Sequence, residues 1–470
     1  MSTTKHGVNA VKIFDSLQQT KQDFVPIKAG HVSLYVCGNT VYDDCHIGHA
    51  RAAVVFDTVA RTLRACGYHV TWVRNITDID DKIIQRALLN QESTDALTER
   101  VIAKMHDDER RLGVQSPDHE PRATQYVPQM IAMIEALIAK QKAYVANNGD
   151  VYFSVKSDPN YGRLSRRDVE ALMSGVRVDS IEDKQDPLDF ALWKAAKADE
   201  PAWSSPWGNG RPGWHIECSA MAAELLGPTI DIHGGGMDLK FPHHDNEIAQ
   251  SEAAHGCCLA NNWMHVGLLT INNEKMSKSL GNSVTISDVL THHDAEVLRH
   301  FMLASHYRSP INYTEQAMTN SQQAMERLYS ALRGLPMVKM PEQNPFYTCF
   351  IDAMQDDFNT PQAFAALFDI AREINRLRQQ ADHDQAASLA AVLRHCGDLL
   401  GILQHDADVF LQSGVGASSV DKQHVESLIV AREQARANKD WQQADAIRQQ
   451  LDDLGVVLED SASGTQWRIL

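Results

Sequence analysis

The feature that most constrains this 470-residue chain is a strand, a helix and a second strand within about 45 residues near its N-terminus. Ser33 to Gly38 reads as a short buried strand. Ile47 to Cys66 reads as a helix, because Ile47, Val54, Val55, Val59, Leu63 and Cys66 recur at near-helical spacing. Gly67 supplies its stop signal. His69 to Arg74 is the second strand. A helix joining two strands over so short a distance makes a βαβ unit, the seed of a parallel sheet.

Further along, Asp81 to Leu112 and Thr124 to Ala143 are helical by periodicity. Asn147 to Asp150, between two short apolar runs, reads as a hairpin turn. Asp186 to Gly213, rich in Pro, Trp and Gly, reads as the end of an insertion and a mobile loop. The α/β pattern then resumes. His215 to Leu226 is a helix, Thr229 to His233 a strand running into Gly234, Gly235 and Gly236, His243 to His255 a helix, and His265 to Ile271 a strand. From Asp294 to about Leu403 the pattern is almost all helical, and Thr360-Pro361 marks one helix start. Gln412 to Ser419 is a linker by composition. One charged helix, Lys422 to Leu454, and two short strand-like pieces close the chain.

The expected fold is therefore α/β. A Rossmann-like parallel-sheet domain with an inserted subdomain is followed by an all-α helical bundle and a small mixed α/β C-terminal domain. The boundaries fall at 1–270 with the insertion at about 115–212, 271–313 for a basic loop and connecting fold, 314–411 for the bundle, and 420–470 for the last domain.

Hydrophobic residues make up 43% of the chain, an ordinary share for a protein with real cores. No run approaches the roughly 20 apolar residues needed to cross a bilayer. Met1 to Ala10 carries Lys5 but no apolar run follows, so no secretory signal is expected and the protein should stay where it is made. The eight cysteines are scattered. A cytoplasmic location would keep them reduced. The net charge of −17 taken alone argues against nucleic acid, since phosphates need Lys and Arg. It is a global sum, however, and a local basic strip can sit on an acidic protein.

Two segments carry chemistry. His46-Ile47-Gly48-His49 follows the first strand and opens its helix. The histidines are three apart and share a face, Gly48 lets a ligand approach the backbone, and a helix N-terminus favours anions. Such a seat suits the phosphates of a nucleotide. By itself the pattern is equally that of two surface histidines beside a turn. The second segment is Lys275-Met276-Ser277-Lys278-Ser279, then Leu280-Gly281-Asn282, in a polar loop. Two lysines and two hydroxyls suit a polyphosphate gaining charge in a transition state. By itself it is also a solvated basic loop.

Together, in this order and about 230 residues apart, the two segments resemble the signature sequences of class I aminoacyl-tRNA synthetases. Within that class the surroundings resemble the cysteinyl-tRNA synthetase family. They comprise Tyr35-Val36-Cys37-Gly38 through Tyr42-Asp43, Arg74 through Asp81, Gly213 through Ser219, Asp231 through Asp238, and Phe241 through Glu247. The resemblance runs from about Ile13 to Trp467. Asn39, Lys240 and Asp245 depart from residues common in the family, and none is a ligand or signature position.

Cys37, Cys218, His243 and Glu247 offer S, S, N and O donors, and two thiolates with an imidazole favour zinc. His243 and Glu247 are four apart on one predicted helix and can face one ion. Spacing alone does not single these four out, and buried cysteines are the plainer reading of it. The resemblance implies that they hold one zinc per chain. His244 is a rival, although it points about 100° around the helix from His243. A zinc that takes the substrate thiolate would separate cysteine from serine by roughly 10⁴-fold, as specific polar readout does.

The resemblance further implies that His46, Gly48, His49, Asp238 and Lys278 contact ATP, that His46, His49, Lys275 and Lys278 serve catalysis, and that magnesium accompanies ATP. It assigns Gly38, Thr77 and Trp214 to cysteine. It makes residues 420–470 an anticodon-binding domain in which Arg436, Trp441, Asp445 and Asp460 meet tRNA(Cys). Arg and Trp can stack on unpaired bases and Asp can accept from their amino groups. From Asp421 to Leu470 six Lys or Arg stand against nine Asp or Glu, a net of −3, so binding there must rest on a local patch. The expected partners are ATP, L-cysteine and tRNA(Cys), without a membrane, and the expected state is a monomer. The rivals are a cysteine ligase of the mycothiol pathway, which would not need the last domain, and a non-catalytic RNA-binding relative.

Overall fold

The computed structural model describes residues 11–167, 183–198, 200–276, 282–412, 421–461 and 464–469. The chain forms two compact units. Met1–Thr285, Ser305–Asn312 and Asp352–Thr360 make up one; Ile286–Ala304, Tyr313–Ile351 and Pro361–Leu470 make up the other.

A hairpin of β1 (Lys12–Asp15) and β2 (Thr20–Asp23) precedes the expected βαβ unit. In that unit β3 is His31–Val36, α1 Ile47–Ala65 and β4 His69–Arg74. Gly67 sits at φ +91°, beyond the end of α1, as its stop signal requires. The expected helix Asp81 to Leu112 is two, α2 (Asp81–Asn90) and α3 (Thr94–Arg111). Gln91 turns left-handed at φ 56°, and the Ser93 hydroxyl caps α3 by accepting from the Ala96 amide. A local cap thus overrides a continuous apolar period.

After α4 (Val127–Ala139) comes an antiparallel sheet of β5 (Ala143–Val145), β6 (Val151–Phe153), β7 (Phe190–Ala195) and β8 (Gly210–Pro212). The Asn147–Asp150 turn joins β5 to β6 as expected. The stretch Asp186 to Gly213, expected as a loop, contributes the other two strands. Their short alternating runs, Phe190-Ala191-Leu192-Trp193 above all, hid among turn residues.

Next come α5 (Trp214–Leu226), β9 (Ile230–Gly236), α6 (His243–His255) and β10 (Ala260–Val266). The expected strand His265 to Ile271 is divided between β10 and a separate strand, β11 (Leu269–Ile271); the short strands β12 (Glu274–Lys275) and β13 (Ile311–Tyr313) follow. The central sheet is parallel, in the order β10-β9-β3-β4. Its order changes direction between β3 and β9, and open α/β sheets bind ligands in the crevice at such a point. The triple glycine allows helices to press on β9 from both sides. A Cβ on Gly234 would fall 2.3 Å from the Phe56 ring of α1, and one on Gly235 would fall 2.8 Å from the His244 ring of α6.

The second unit is largely helical. Its helices include α7 (Ile286–Leu290), α8 (Ala295–Leu303), α9 (Glu315–Leu332), α12 (His383–Leu400) and α13 (Ala407–Leu411). Two more, α10 (Pro345–Gln355) and α11 (Thr360–Gln379), begin or end in the excursion of residues 352–360 into the first unit. In that excursion Asp357 accepts hydrogen bonds from the Phe14 amide and the Tyr307 hydroxyl, each at 2.8 Å.

The expected single helix Lys422 to Leu454 is also two, α14 (Lys422–Ala437) and α15 (Trp441–Asp453), with Lys439 left-handed and Asp440 capping α15. A β14 (Val456–Ser461) and β15 (Gly464–Ile469) hairpin completes this part. Within the second unit the Trp467 carbonyl accepts from buried Arg333 at 3.0 Å, and Arg468 pairs with Glu326 at 3.1 Å. The tail is thereby docked on α9. Of the expected linker 412–419, all but Gln412 lies outside the described residues.

Candidate functional site

The crevice between β3 and β9 gathers four donors from separate elements. Cys37 follows β3, where its amide donates to the Gly234 carbonyl at 3.0 Å. Cys218 lies on α5, and His243 and Glu247 lie one turn apart on α6. Their ligand atoms all fall within 4.8 Å of one another. Cys37 Sγ is 3.6 Å from Cys218 Sγ, 3.5 Å from His243 Nε2 and 3.2 Å from Glu247 Oε1. Metal bonds of about 2.0–2.3 Å give tetrahedral edges of roughly 3.3–3.8 Å; the Cys37 separations to Cys218 and His243 fall in that range and the one to Glu247 just below it, so the group is close to what one ion of zinc size needs. His243 Nε2 to Glu247 Oε1, at 2.9 Å, is a hydrogen-bond length.

Electrostatics makes the same point. Burial raises the Cys218 thiol, but the hydrogen bond from Cys37 and the nearby His243 outweigh it and bring it down to about 6. Burial holds Cys37 well above the usual thiol range. Burial also opposes charge on His243, yet the Glu247 carboxylate lifts it to about 10. The cluster therefore keeps protons on Cys37 and His243 that a divalent cation would displace.

Outer partners orient the donors. His215 Nδ1 lies 2.9 Å from His243 Nδ1, and His233 Nε2 lies 2.8 Å from Glu247 Oε2. Neither histidine stands out by spacing, although both lie inside the segments that carry the resemblance. The rival His244 is fully buried and turned to His265 Nε2 at 2.9 Å. It also shares a three-donor group with Cys37 and His233. The group of four has more donors and both thiols.

The residues expected around cysteine adjoin these donors. Trp214 is 37% exposed and stacks on the His243 ring, with centroids 4.4 Å apart. The Gly38 amide donates to Asn75 Oδ1 at 2.8 Å, and a Cβ on Gly38 would lie 1.7 Å from the Asn75 carbonyl oxygen. Thr77 Oγ1 donates to Glu217 Oε2 at 2.7 Å. Glu217 was not expected here; it reads as one more acidic residue on a helix until its burial is known.

His46 is the N-cap of α1. Its Nδ1 accepts from the Gly48 amide at 3.1 Å, and His49 Nδ1 accepts from the His46 amide at 3.3 Å. The two rings stack, with centroids 3.7 Å apart. Since both Nδ1 atoms accept, each neutral ring carries its proton on Nε2. His46 also forms a β-bridge with Thr285, and the Met276 methyl lies 3.6 Å from where a Gly48 Cβ would be. The start of the lysine loop is thus brought to the start of α1. Lys275 is exposed at the end of β12 (Glu274–Lys275), whereas Lys278 lies outside the described residues. Asp238 is exposed on the 3₁₀ turn Met237–Lys240 that follows β9.

In the second unit Arg436 is exposed on the last turn of α14. Trp441 begins α15 at 60% exposure, and Asp445 is exposed one turn later. Asp460 lies in β14 opposite Thr465.

Comparisons with known proteins agree along nearly the whole chain. The family described as tRNA synthetases class I (C) catalytic domain matches residues 23–323, the DALR domain residues 349–404, and the cysteinyl-tRNA ligase anticodon binding domain residues 422–468. A cysteine–tRNA ligase of Alkalilimnicola ehrlichii is 57% identical over 458 residues, covering 97% of this chain and 99% of the relative. One from Halorhodospira halophila is 58% identical with the same coverage. Among solved structures, Mycobacterium tuberculosis methionyl-tRNA synthetase in complex with methionyl-adenylate shares the fold. Its TM-score is 0.56 at 15% identity, over 83% of this chain and 92% of the other. The LeuRS of Agrobacterium radiobacter K84, in a ternary complex, does so with a TM-score of 0.58 at 13% identity, over 83% and 86%. With a catalytic-domain match over more than half its length and relatives this similar over nearly all of it, the chain belongs to the cysteine–tRNA ligase family of class I aminoacyl-tRNA synthetases.

Proposed function

We propose that this protein is an ATP-dependent ligase that activates L-cysteine and transfers it to tRNA(Cys). The observation that carries the reading is the two-thiol, imidazole and carboxylate cluster in the crevice of the parallel sheet, adjoined by Gly38, Thr77 and Trp214. Zinc is the ion that this donor set suits. When bound, it supplies a soft Lewis acid that takes a thiolate and leaves a hydroxyl behind, which separates cysteine from serine.

In the first step the cysteine carboxylate oxygen attacks the α-phosphorus of ATP, the bond from that phosphorus to the bridging oxygen breaks, and pyrophosphate leaves; magnesium would accompany the ATP. His46 and His49 donate from Nε2 to the phosphates, a role to which their capping bonds restrict the neutral rings. Gly48 leaves the backbone open to the nucleotide, and Asp238 accepts from the ribose hydroxyls. Lys275 and Lys278 close over the departing pyrophosphate and neutralise its charge. In the second step a hydroxyl of the terminal tRNA ribose attacks the adenylate carbonyl, its proton is lost, and AMP leaves. Both steps rely on positioning and charge stabilisation.

Residues 420–470 read the anticodon through Arg436, Trp441, Asp445 and Asp460, and 1–270, 271–313 and 314–411 serve as catalytic domain, loop segment and bundle. The match of 422–468 to an anticodon binding domain speaks against a ligase that joins cysteine to an amino sugar. All eight cysteines are free, which suits a reducing cytoplasm. Among the described residues no helix is long and apolar enough to cross a membrane. The test is pyrophosphate exchange with cysteine or serine, then aminoacylation with tRNA(Cys), alongside metal analysis. Exchange with cysteine but without charging of tRNA would return the amino-sugar ligase to favour.

A further inference from the structure

Gly38 follows the donor Cys37, Glu217 precedes the donor Cys218, and Asn75 and Thr77 connect them. Asn75 Oδ1 accepts from the Gly38 amide at 2.8 Å, and Asn75 Nδ2 donates to Thr77 Oγ1 at 3.3 Å. Thr77 Oγ1 donates to Glu217 Oε2 at 2.7 Å. Asn75, Thr77 and Glu217 are each 1% exposed, so an ill-matched polar contact among them carries a full desolvation cost.

A hydroxyl has one proton and two lone pairs. Burial pushes the Glu217 carboxyl up, and an ammonium nearby favours its charged form; as a carboxylate it accepts from the Thr77 hydroxyl, and Asn75 occupies one Thr77 lone pair. Toward any further partner Thr77 can act only as an acceptor. Gly38 has likewise given its N–H to Asn75, which leaves its carbonyl. Two acceptors, one of them on the residue after the thiol donor Cys37, suit a group that donates and does not accept. An ammonium is that group.

We infer that Glu217 is a positioning residue which, by accepting the Thr77 hydroxyl's hydrogen bond, fixes that hydroxyl as an acceptor for the ammonium of the amino-acid substrate. The inference rests on the cysteine reading above and adds the residue that decides which way the hydroxyl points. Glu217 itself does not touch the substrate. A glutamine in its place can donate to Thr77 through its NH2, turn the hydroxyl around and set its proton against the ammonium.

The test compares L-cysteine with 3-mercaptopropionate, which keeps the thiol and carboxylate and lacks the amino group. The KM for cysteine is taken from pyrophosphate exchange, and the inhibition constant of 3-mercaptopropionate from competition in the same assay. In Glu217→Gln the KM for cysteine should rise about 10–100-fold, the range of a charge-assisted hydrogen bond. The inhibition constant should stay within about twofold and the zinc content should not change. Thr77→Val should show the same selectivity, and the double variant should be no worse than the worse single one, because both remove one interaction. Equal losses for the two ligands, no loss for cysteine, or additive losses in the double variant would overturn the inference. Should Glu217→Gln fold poorly or lose zinc, Glu217→Asp carries the same comparison. It should give a cysteine-selective loss of about 3–10-fold, and an equal loss overturns the proposal. Absence of cysteine-dependent exchange in the unaltered protein would instead overturn the substrate reading, and this inference with it.

Discussion

The β3–β9 crevice and the part formed by Lys422–Ile469 handle their functional side chains in opposite ways. In the crevice Cys218, His243 and Glu247 are at most 1% exposed, as are the polar side chains of His233, Thr77 and Glu217, while Cys37 is half-buried. In the C-terminal part a small core of Val425, Ile429, Ile447, Leu451, Val456 and Trp467 holds two helices and a hairpin. There Arg436, Trp441 and Asp445, proposed to meet RNA, stand outside that core, with Trp441 at 60% exposure. A site that tunes thiols and excludes water must be enclosed. A surface that stacks on bases must present its aromatic groups to an incoming partner. Substitutions in the first region should therefore disturb structure and chemistry together, and those in the second should change binding alone.

The largest expected effect is that of Cys218→Ser. Bound zinc should fall from about one per chain to under a tenth of that, and exchange activity should fall by more than the 10–100-fold typical of an outer partner of a metal ligand. Metal analysis that finds unchanged zinc would remove the cluster as its site. Next is Lys278→Ala, expected to slow adenylate formation by about 10²–10³-fold while leaving the KM for cysteine within about twofold. Normal turnover with a raised KM would refute its role in the transition state. Gly38→Ala comes third by its effect on stability. Its Cβ would overlap the Asn75 carbonyl oxygen. The backbone has to move, at a cost of about 3 kcal/mol or more, seen as a fall in melting temperature of about 6–12 °C. The smallest effect is that of Trp441→Ala, which should raise the KM for tRNA about 5–150-fold, equivalent to about 1–3 kcal/mol of stacking. Exchange and melting temperature should stay unchanged. If Trp441→Ala melts as early as Gly38→Ala, Trp441 is packed rather than presented, and the contrast between the two regions fails.

The parallel order of β3 and β4 and the bounds of α6 were legible because long apolar periods and clear stop signals agree there. Legibility failed where a short-range cap competed with the period. Ser93 and Asp440 each end one helical run and start another by accepting a backbone amide. A run of apolar residues continues across such a cap, and only the left-handed residues before it, Gln91 and Lys439, reveal the break. The strands β7 and β8 were hidden for a related reason. They are short and flanked by turn residues, and they exist because β6 offers an edge to pair with.

By itself the sequence determined the α/β architecture and the two signature segments and, through resemblance, pointed to the four candidate donors. These follow from local periods and from residue types that chemistry restricts. Only the tertiary structure decided which side chains share a site. Cys37 and Cys218 are 181 positions apart in the chain yet 3.6 Å apart in space. No local rule reports that distance; it is fixed by the crossover that lays β9 against β3. The same holds for Glu217, whose meeting with Thr77 across 140 positions turns an ordinary helical glutamate into the group that sets the direction of a hydroxyl. Burial and hydrogen-bond partners are properties of the packed chain, and they decide what a titratable or hydroxyl group does.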